Sequence, residues 1–197
     1  MPSCSIRTKR GTTILWRGQQ MAITKINDCV VSPNSAYMFD TNVWLYIFGP
    51  VAGAGTYRQR VYSRLLSDII SRKAGLFITS LVVSEYINRV LRIGFDNWKV
   101  ATRNPLADFK RDYRSTDDYA DALADAKLQI REILNLCNRY PDGFNAVDID
   151  SVLNMMGQSA DYNDSYLVLC CKNRNIKLVS SDKDLQKISS GIELICD

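Results

Sequence analysis

The stretch 36-AYMFDTNVWLY-46 joins an apolar run to an aspartate, two further polar residues and a second apolar run. Its first four residues, Ala36 to Phe39, have the length and composition of a short buried strand, so Asp40 stands where that strand ends. A carboxylate at the edge of a core is costly to desolvate unless it has a partner. Asp40 is therefore either the cap of a following helix or part of a site that uses its charge.

Segments with strand and helix character alternate along the rest of the chain. Further strands are expected at 76–79, 144–149, 176–180 and 192–195, the last of them at an edge of the sheet. Helices are expected at 57–74, 81–93, 117–139, 150–156, 164–174 and 182–188. This alternation predicts an α/β fold with a mostly parallel central sheet and helices on both faces.

The domain organisation expected is a single domain at 36–197 that follows a basic arm or lead-in at 1–35. Inside the domain, residues 94–116 have weak periodicity and mixed charge, which is typical of an insertion or lid. The net charge of +4 resides entirely in the first 20 residues, which hold four basic residues and no acid. The remaining chain is neutral, so a globally basic body is excluded. The basic leader is either a flexible arm or a start assigned too early, since Met21 opens an ordinary beginning.

Composition narrows the class of protein. No window is apolar for long enough to span a bilayer, and the apolar run at 13–16 is too short for a secretory signal. The six cysteines form no CxxC pair, which favours reduced thiols in a cytoplasmic protein. The chain has no histidine, which excludes Ser-His and Cys-His nucleophile systems and nearly all zinc catalysis.

Acidic residues fall where the expected strands and helices meet. They are Asp40, Glu85, Asp161, Asp164 and Asp182. Each has an alternative explanation on its own: Glu85 can favour a helix dipole, and the Asp161–Asp164 pair can be an N-cap with a first-turn acid. In parallel sheets, however, sites form outside the carboxyl ends of the strands, and these acids would meet there.

A cluster of carboxylates at one sheet edge predicts a metal site. The carboxylates would repel each other and raise each other's pKa, so a bound cation would stabilise them at neutral pH. Ligation by oxygen alone suits Mg²⁺ or Mn²⁺. Without a histidine as base, the metal would activate a water molecule, and this chemistry points to hydrolysis of phosphate esters.

The acids and their surroundings resemble the motifs of the PIN-domain nucleases from about residue 36 onward. The matching segments are 37-YMFDTN-42, 80-SLVVSEYINRVL-91, 161-DYNDSYLVLC-170 and 176-IKLVSSDKDL-185. In this resemblance Asp40, Glu85, Asp164 and Asp182 take the catalytic and metal-binding positions, and Asp161 takes an accessory one. Thr41 and Asn42 would support Asp40 by hydrogen bonds.

The resemblance implies a three-layer α/β/α sandwich and a Mg²⁺- or Mn²⁺-dependent endoribonuclease. Many similar bacterial proteins are VapC-type toxins held silent by a small antitoxin protein, and homodimers are common among them. The chain departs from compact toxins in the segment 94–116. A second departure is Asp184, which competes with Asp182 as a ligand and ranks below it because its side chain would point away from a helix starting at Asp182.

RNA contacts are expected near the acids, with Arg89 and Lys183 as candidates for binding phosphates. Basic and aromatic residues also alternate around 94–116, where the rings could stack on unpaired bases. They are Arg92, Phe95, Trp98, Lys99, Arg103, Phe109, Lys110, Arg111, Tyr113 and Arg114. The alternative is a solvated charged face with its rings tucked into the core. The acids at 117, 118, 121 and 125 are interpreted as a solvated helix face.

Two rival functions fit parts of the pattern. A phosphatase of the haloacid-dehalogenase type also uses an Asp at a strand end and Mg²⁺, but it needs a second Asp where this chain has Asn42. A non-catalytic PIN-like module that binds RNA or protein is the alternative from another class, and the retention of all four core acids argues against it.

Overall fold

The computed structural model describes residues 22–51, 55–141, 144–157, 160–188 and 191–197. Six strands in these residues form one sheet with the order β1-β6-β5-β2-β3-β4, and every neighbouring pair is parallel. The strands are β1 (Ala22–Lys25), β2 (Ala36–Phe39), β3 (Gly75–Ile78), β4 (Asn138–Arg139), β5 (Ile176–Val179) and β6 (Glu193–Cys196).

Helices flank the sheet on both faces and complete a three-layer α/β/α sandwich, which confirms the predicted fold class. They are α1 (Thr41–Ile47), α2 (Tyr57–Ser71), α3 (Ser80–Ala101), α4 (Asp117–Leu136), α5 (Ile149–Met155) and α6 (Tyr162–Asn173). Short 3₁₀ turns lie at Ile26–Asp28, Phe144–Ala146 and Leu185–Lys187, and a π-helical turn lies at Phe109–Tyr113.

The centre of the sheet is buried on both faces. Tyr37, Met38 and Phe39 of β2 are fully buried, and so is Leu178 of β5, which pairs with Met38. Parallel strands covered by helices on both sides are apolar at every position instead of at alternate positions. The apolar run of 36-AYMF-39 therefore specifies a central strand, and it brings Asp40 to the carboxyl edge of the sheet.

Several expectations about the strands differ from the structure. The strand expected at 144–149 is wrong, because Phe144–Ala146 is a 3₁₀ turn and Ile149 begins α5. The strand beside β3 is instead Asn138–Arg139, which is only two residues long and has no apolar pattern that would predict it. The strand expected at 192–195 is present as β6 but is not at the edge, since β1 pairs outside it. The lead-in predicted at 1–35 thus contains an edge strand of the domain sheet.

The helices also differ from expectation in places. The helix expected at 182–188 is wrong, because only the 3₁₀ turn Leu185–Lys187 forms there. Thr41–Ile47 is helical although the second apolar run had no helix assigned to it, and Asp40 is its N-cap. Helix α3 continues to Ala101, so the first part of the segment 94–116 is regular helix. The remainder connects α3 to α4 and contains the π-helical turn.

The far half of α3 packs against α4 through an aromatic cluster, formed by Phe95, Trp98, Phe109, Tyr113 and Tyr119. A glycine allows this close approach: a Cβ on Gly94 would stand 2.6 Å from the Tyr113 hydroxyl oxygen and 3.2 Å from the Ala122 Cβ. The helix pair therefore has a small core of its own beyond the sheet.

The five cysteines in the described part of the chain are free thiols, in keeping with the sequence-based expectation. Cys4, the basic residues of the leader and Met21 lie outside the described residues. Among the helices that the structure describes, none is long and apolar enough to cross a membrane.

Candidate metal and nuclease site

Asp40 lies at the junction of β2 and α1 and caps the helix, which is one of the two explanations that its sequence context allows. Its backbone N–H donates to the Val179 carbonyl at 2.9 Å and so extends the pairing of β2 with β5. Its carboxylate Oδ1 accepts from the Thr41 backbone N–H at 2.6 Å, as the cap of α1. The residue is only 7% exposed, so the cap is also a buried charge.

Ser180 gives Asp40 its second strong partner. The Ser180 hydroxyl donates to Asp40 Oδ2 at 2.7 Å and accepts from the Asp182 backbone N–H at 3.0 Å. Because β5 lies beside β2, Ser180 at the end of β5 faces the end of β2. Ser180 therefore couples the first acid of the site to the loop that carries the last one.

Thr41, Asn42 and Arg89 connect Asp40 to the acid on α3. The Thr41 hydroxyl donates to Glu85 Oε2 at 3.1 Å, and the Asn42 amide nitrogen lies 3.5 Å from Asp40 Oδ2. Arg89 contacts both Glu85 and Asn42. Its Nε lies 3.9 Å from Glu85 Oε1, and its Nη2 donates to Asn42 Oδ1 at 3.4 Å. Thr41 and Asn42, the two residues predicted to support Asp40, thus both contact it, and Thr41 also contacts Glu85.

Asp161 and Asp164 form a reciprocal cap at the start of α6. Asp161 accepts from the Asp164 backbone N–H at 2.9 Å, and Asp164 Oδ2 accepts from the Asp161 backbone N–H at 3.4 Å. Helix α6 precedes β5 and runs back along the sheet, so its first turn lies at the carboxyl edge of the strands. Both acids can cap the helix and still contribute charge to the site.

Asp182 lies in the loop after β5, half-buried, with its Oδ1 accepting from the Asp184 backbone N–H at 2.8 Å. The Asp184 side chain is occupied by an ion pair with Lys187 at 2.5 Å. No helix starts at Asp182, since the 3₁₀ turn begins at Leu185, so the reason for ranking Asp184 second was wrong. Lys183 is exposed beside Asp182.

The acids influence each other's protonation. Burial raises the pKa of Asp40 to about 7, with a further rise from the charges of Glu85 and Asp164; the hydrogen bonds from Ser180 and Thr41 oppose this. Burial raises the pKa of Asp164 to about 6, and the charges of Asp161, Asp182 and Glu85 act in the same direction. The acids predicted as ligands therefore form one cluster of repelling charge.

The donor set of this cluster fits Mg²⁺ or Mn²⁺, because all of its ligating atoms are carboxylate oxygens and a cation would relieve the repulsion. Within the described ranges, no three acidic or thiol side chains lie in a metal-holding arrangement. Mg²⁺ does not need a closed cage, since it commonly binds through one or two carboxylates and keeps several waters. The acids thus bring negative charge to one edge of the sheet.

The aromatic and basic residues around 94–116 mostly contact one another. Phe95 and Tyr113 are buried in the aromatic cluster, Arg92 lies over the Phe109 ring at 4.5 Å, and Lys99 lies over Phe95 at 4.7 Å. Lys99 also pairs with Asp96 at 2.8 Å. The rings therefore build a core between α3 and α4, which is the alternative that the sequence left open.

Two residues of the site's framework were not singled out from the sequence. Ser180 lies two residues before Asp182, and this spacing was a usable signal for a site residue. Thr79 caps α3 by accepting from the Val82 backbone N–H at 3.2 Å and is buried, so it fixes the start of the helix that carries Glu85. Helix α3 accordingly begins at the next residue, Ser80.

A sequence model of the PIN domain matches residues 37–190. Among solved structures, the chain is similar to VapBC2 from Rickettsia felis bound to a DNA fragment from their promoter. The match has 12% identity and a TM-score of 0.50, and covers 82% of this chain and 98% of that one. PAE2754 from Pyrobaculum aerophilum matches with 15% identity and a TM-score of 0.45, covering 82% of this chain and 91% of that one. No significant match was found among curated proteins.

Proposed function

Since this chain belongs to the PIN domain family, whose members are generally nucleases, we propose that it is a Mg²⁺- or Mn²⁺-dependent endoribonuclease. The observation that carries the proposal is the set of hydrogen bonds that joins Asp40 to Glu85 through Thr41 and to the Asp182 loop through Ser180. Asp164, on a further element, is close enough for its charge to act on Asp40 and Glu85. Buried and half-buried acids that repel each other are costly to the fold unless they serve a ligand.

In this proposal Asp40, Glu85, Asp164 and Asp182 hold the cation, with Asp161 as an accessory ligand. When bound, the cation lowers the pKa of a water molecule and offsets charge that develops on the phosphate. Ser180 and Thr41 orient the Asp40 carboxylate by their hydrogen bonds.

The reaction is the hydrolysis of one phosphodiester bond. A water oxygen forms a bond to phosphorus as one ester P–O bond breaks, and the leaving oxygen takes up a proton. One product keeps the phosphate and the other ends in a hydroxyl group. Arg89 and Lys183, exposed near the acids, would contact flanking phosphates of the RNA.

The test is cleavage of RNA by the purified protein with Mg²⁺ or Mn²⁺. Asp40→Asn and Asp164→Asn are each expected to reduce the rate at least about 100-fold, because removing a ligand weakens both the metal and its water. Asp184→Asn is the matched control in the same loop, since Asp184 pairs with Lys187.

Two outcomes would contradict the nuclease. Protein that binds RNA but leaves it intact with either metal would identify a non-catalytic module. Hydrolysis of small phosphomonoesters in place of RNA would instead indicate a phosphatase.

A toxin role belongs to the same proposal, with a small antitoxin as partner, a homodimer as assembly and the cytoplasm as the place of action. Support comes from the similarity to the VapBC2 structure, which is a similarity of fold. Growth arrest on expression, relieved by Asp40→Asn and by co-expression of a short adjacent reading frame, would support the role. Undisturbed growth with active enzyme present would contradict it.

A further inference from the structure

A cleft of about 200 Å³ lies between the first turns of α3 and α6. Its walls are mostly apolar and aromatic, and they are lined by Ser80, Leu81, Phe144, Tyr162 and Tyr166. Phe144 stands in the 3₁₀ turn before α5 and is 62% exposed, which is unusual for so large an apolar ring. The Tyr162 and Tyr166 rings stack on each other with centroids 5.8 Å apart, so they form one aromatic wall of the cleft.

The cleft adjoins the acid cluster along α3. Leu81 precedes Glu85 by four residues on α3, and side chains at this spacing are neighbours on one helix face. On α6, Tyr162 directly follows Asp161, but its side chain leaves the helix on a different face from that of Asp164. A group held in the cleft would therefore lie beside a phosphate held at the acids.

On the other side of the acids, helix α3 carries a basic residue. Arg89 follows Glu85 by four residues, and its side chain is 54% exposed. Along α3 the surface thus changes from an apolar cleft to a carboxylate and then to a guanidinium, each step about 6 Å along the axis. A strand of nucleic acid offers a matching alternation of apolar base and anionic phosphate.

The size of the cleft selects the group that it can hold. Pockets for drug-sized ligands have about 300–1,000 Å³, so this smaller cleft fits a single flat ring system. Exposed aromatic rings bind unpaired bases by stacking, whereas bases within a duplex remain stacked on each other and out of reach.

We propose that the cleft between α3 and α6 binds an unpaired base next to the scissile phosphate, with the neighbouring phosphate on Arg89. Phe144 and Tyr162 stack on this base, so the cleft requires an unpaired nucleotide at that position without selecting its identity. This inference rests on the nuclease function for the identity of the ligand, but the cleft can be tested without catalysis.

The experiment measures binding of a short single-stranded RNA by fluorescence anisotropy in the presence of EDTA, so that no cleavage occurs. An abasic residue is scanned along the RNA to find the position whose base contributes most. Phe144→Ala is expected to weaken binding of the intact RNA roughly tenfold, within the range that stacking gives per base. The same variant should lose nothing further on RNA that is abasic at that position, and Phe144→Tyr should restore binding.

Leu153→Ala is the matched control, because Leu153 is a comparably exposed apolar residue of the neighbouring α5 that does not line the cleft. The inference is overturned if Phe144→Ala binds intact RNA as the unaltered protein does. It is also overturned if the losses from the variant and from the abasic site add, or if duplex RNA binds equally well.

The two proposals fail in distinguishable ways. RNA binding with the abasic and Phe144 effects coupled, but without cleavage in Mg²⁺ or Mn²⁺, would retain the base cleft and reject the nuclease. Cleavage that is indifferent to Phe144→Ala and to the abasic scan would retain the nuclease and reject the cleft. A protein that binds no RNA in EDTA and cleaves none with Mg²⁺ or Mn²⁺ would reject both.

Discussion

At the residue scale, Asp40 combines two roles that are usually separate. As the cap of α1 it satisfies a backbone N–H, and as a buried charge it stands beside Glu85 and Asp164. Its two strong hydrogen bonds, from Thr41 and Ser180, do not offset its burial, which is why its pKa is raised to about 7. The fold therefore holds this carboxylate at a cost that a bound cation would relieve.

This cost predicts how the stability of the metal-free protein depends on pH. Folded Asp40 keeps its proton up to about pH 7, whereas the unfolded residue releases it near its ordinary pKa of 3.8. Between these values the unfolded chain binds fewer protons, so this residue makes the free energy of unfolding fall as pH rises, with no further loss above about 7. Denaturant titrations from pH 4 to pH 8 would measure the fall.

Asp40→Asn removes the titrating group and should remove that part of the pH dependence. Mn²⁺ should raise the melting temperature of the unaltered protein more at pH 7.5 than at pH 5.5, because the cation competes with the proton. A variant whose stability follows the same pH curve as the unaltered protein would contradict this account of Asp40.

At the element scale, α3 contributes Glu85 and Arg89 to the site and is held in place by its cap. Thr79 fixes its first turn, Glu85 faces Thr41, and Arg89 reaches Asn42. The helical pattern in the sequence was clear only to residue 93, because up to there the buried stripe faces the main core. Beyond Gly94 the helix packs on α4 and the aromatic cluster, a partner that sequence periodicity cannot reveal.

Gly94→Ala tests the packing of α3 on α4. Alanine in a helix interior is ordinarily more stable than glycine by about 1 kcal/mol. Here the added methyl group would meet the buried Tyr113 ring system and Ala122, and overpacking of this kind costs about 1–3 kcal/mol. We therefore expect a net loss of stability of about 1 kcal/mol in urea denaturation.

Ser84→Ala on the same helix is the control, because Ser84 is exposed and the change should alter stability by only a few tenths of a kcal/mol. Stabilisation by Gly94→Ala would mean that Tyr113 can move aside without loss, and that α3 and α4 are not held closely at this point.

At the scale of the whole molecule, the sheet begins earlier in the chain than the apolar pattern indicates. β1 (Ala22–Lys25) pairs with β6 along its full length, and Ile26 and Val31 just after it are buried in the core. The segment 22–35 therefore covers β6 and belongs to the folded domain.

Truncation of the chain separates these contributions. A protein that starts at residue 36 should unfold at lower temperature and aggregate more readily than one that starts at Met21. The shorter chain loses the β1 pairing and leaves β6 as an uncovered apolar edge. Thermal unfolding and light scattering of the two proteins isolate residues 22–35, and equal stability would show that this segment is dispensable.

The sequence by itself determined the α/β class and the central strands, because parallel strands buried on both faces are apolar throughout. It also indicated Asp40, Glu85, Asp161, Asp164 and Asp182 as candidate site residues, because a carboxylate beside an apolar run is costly to desolvate and needs a reason to be there. Tertiary structure alone decided that β1 is an edge strand, that Asn138–Arg139 is a strand, and that Ser180 joins Asp40 to the Asp182 loop. These features depend on pairing and contact between residues far apart in the chain, which leave no local periodicity to be recognised.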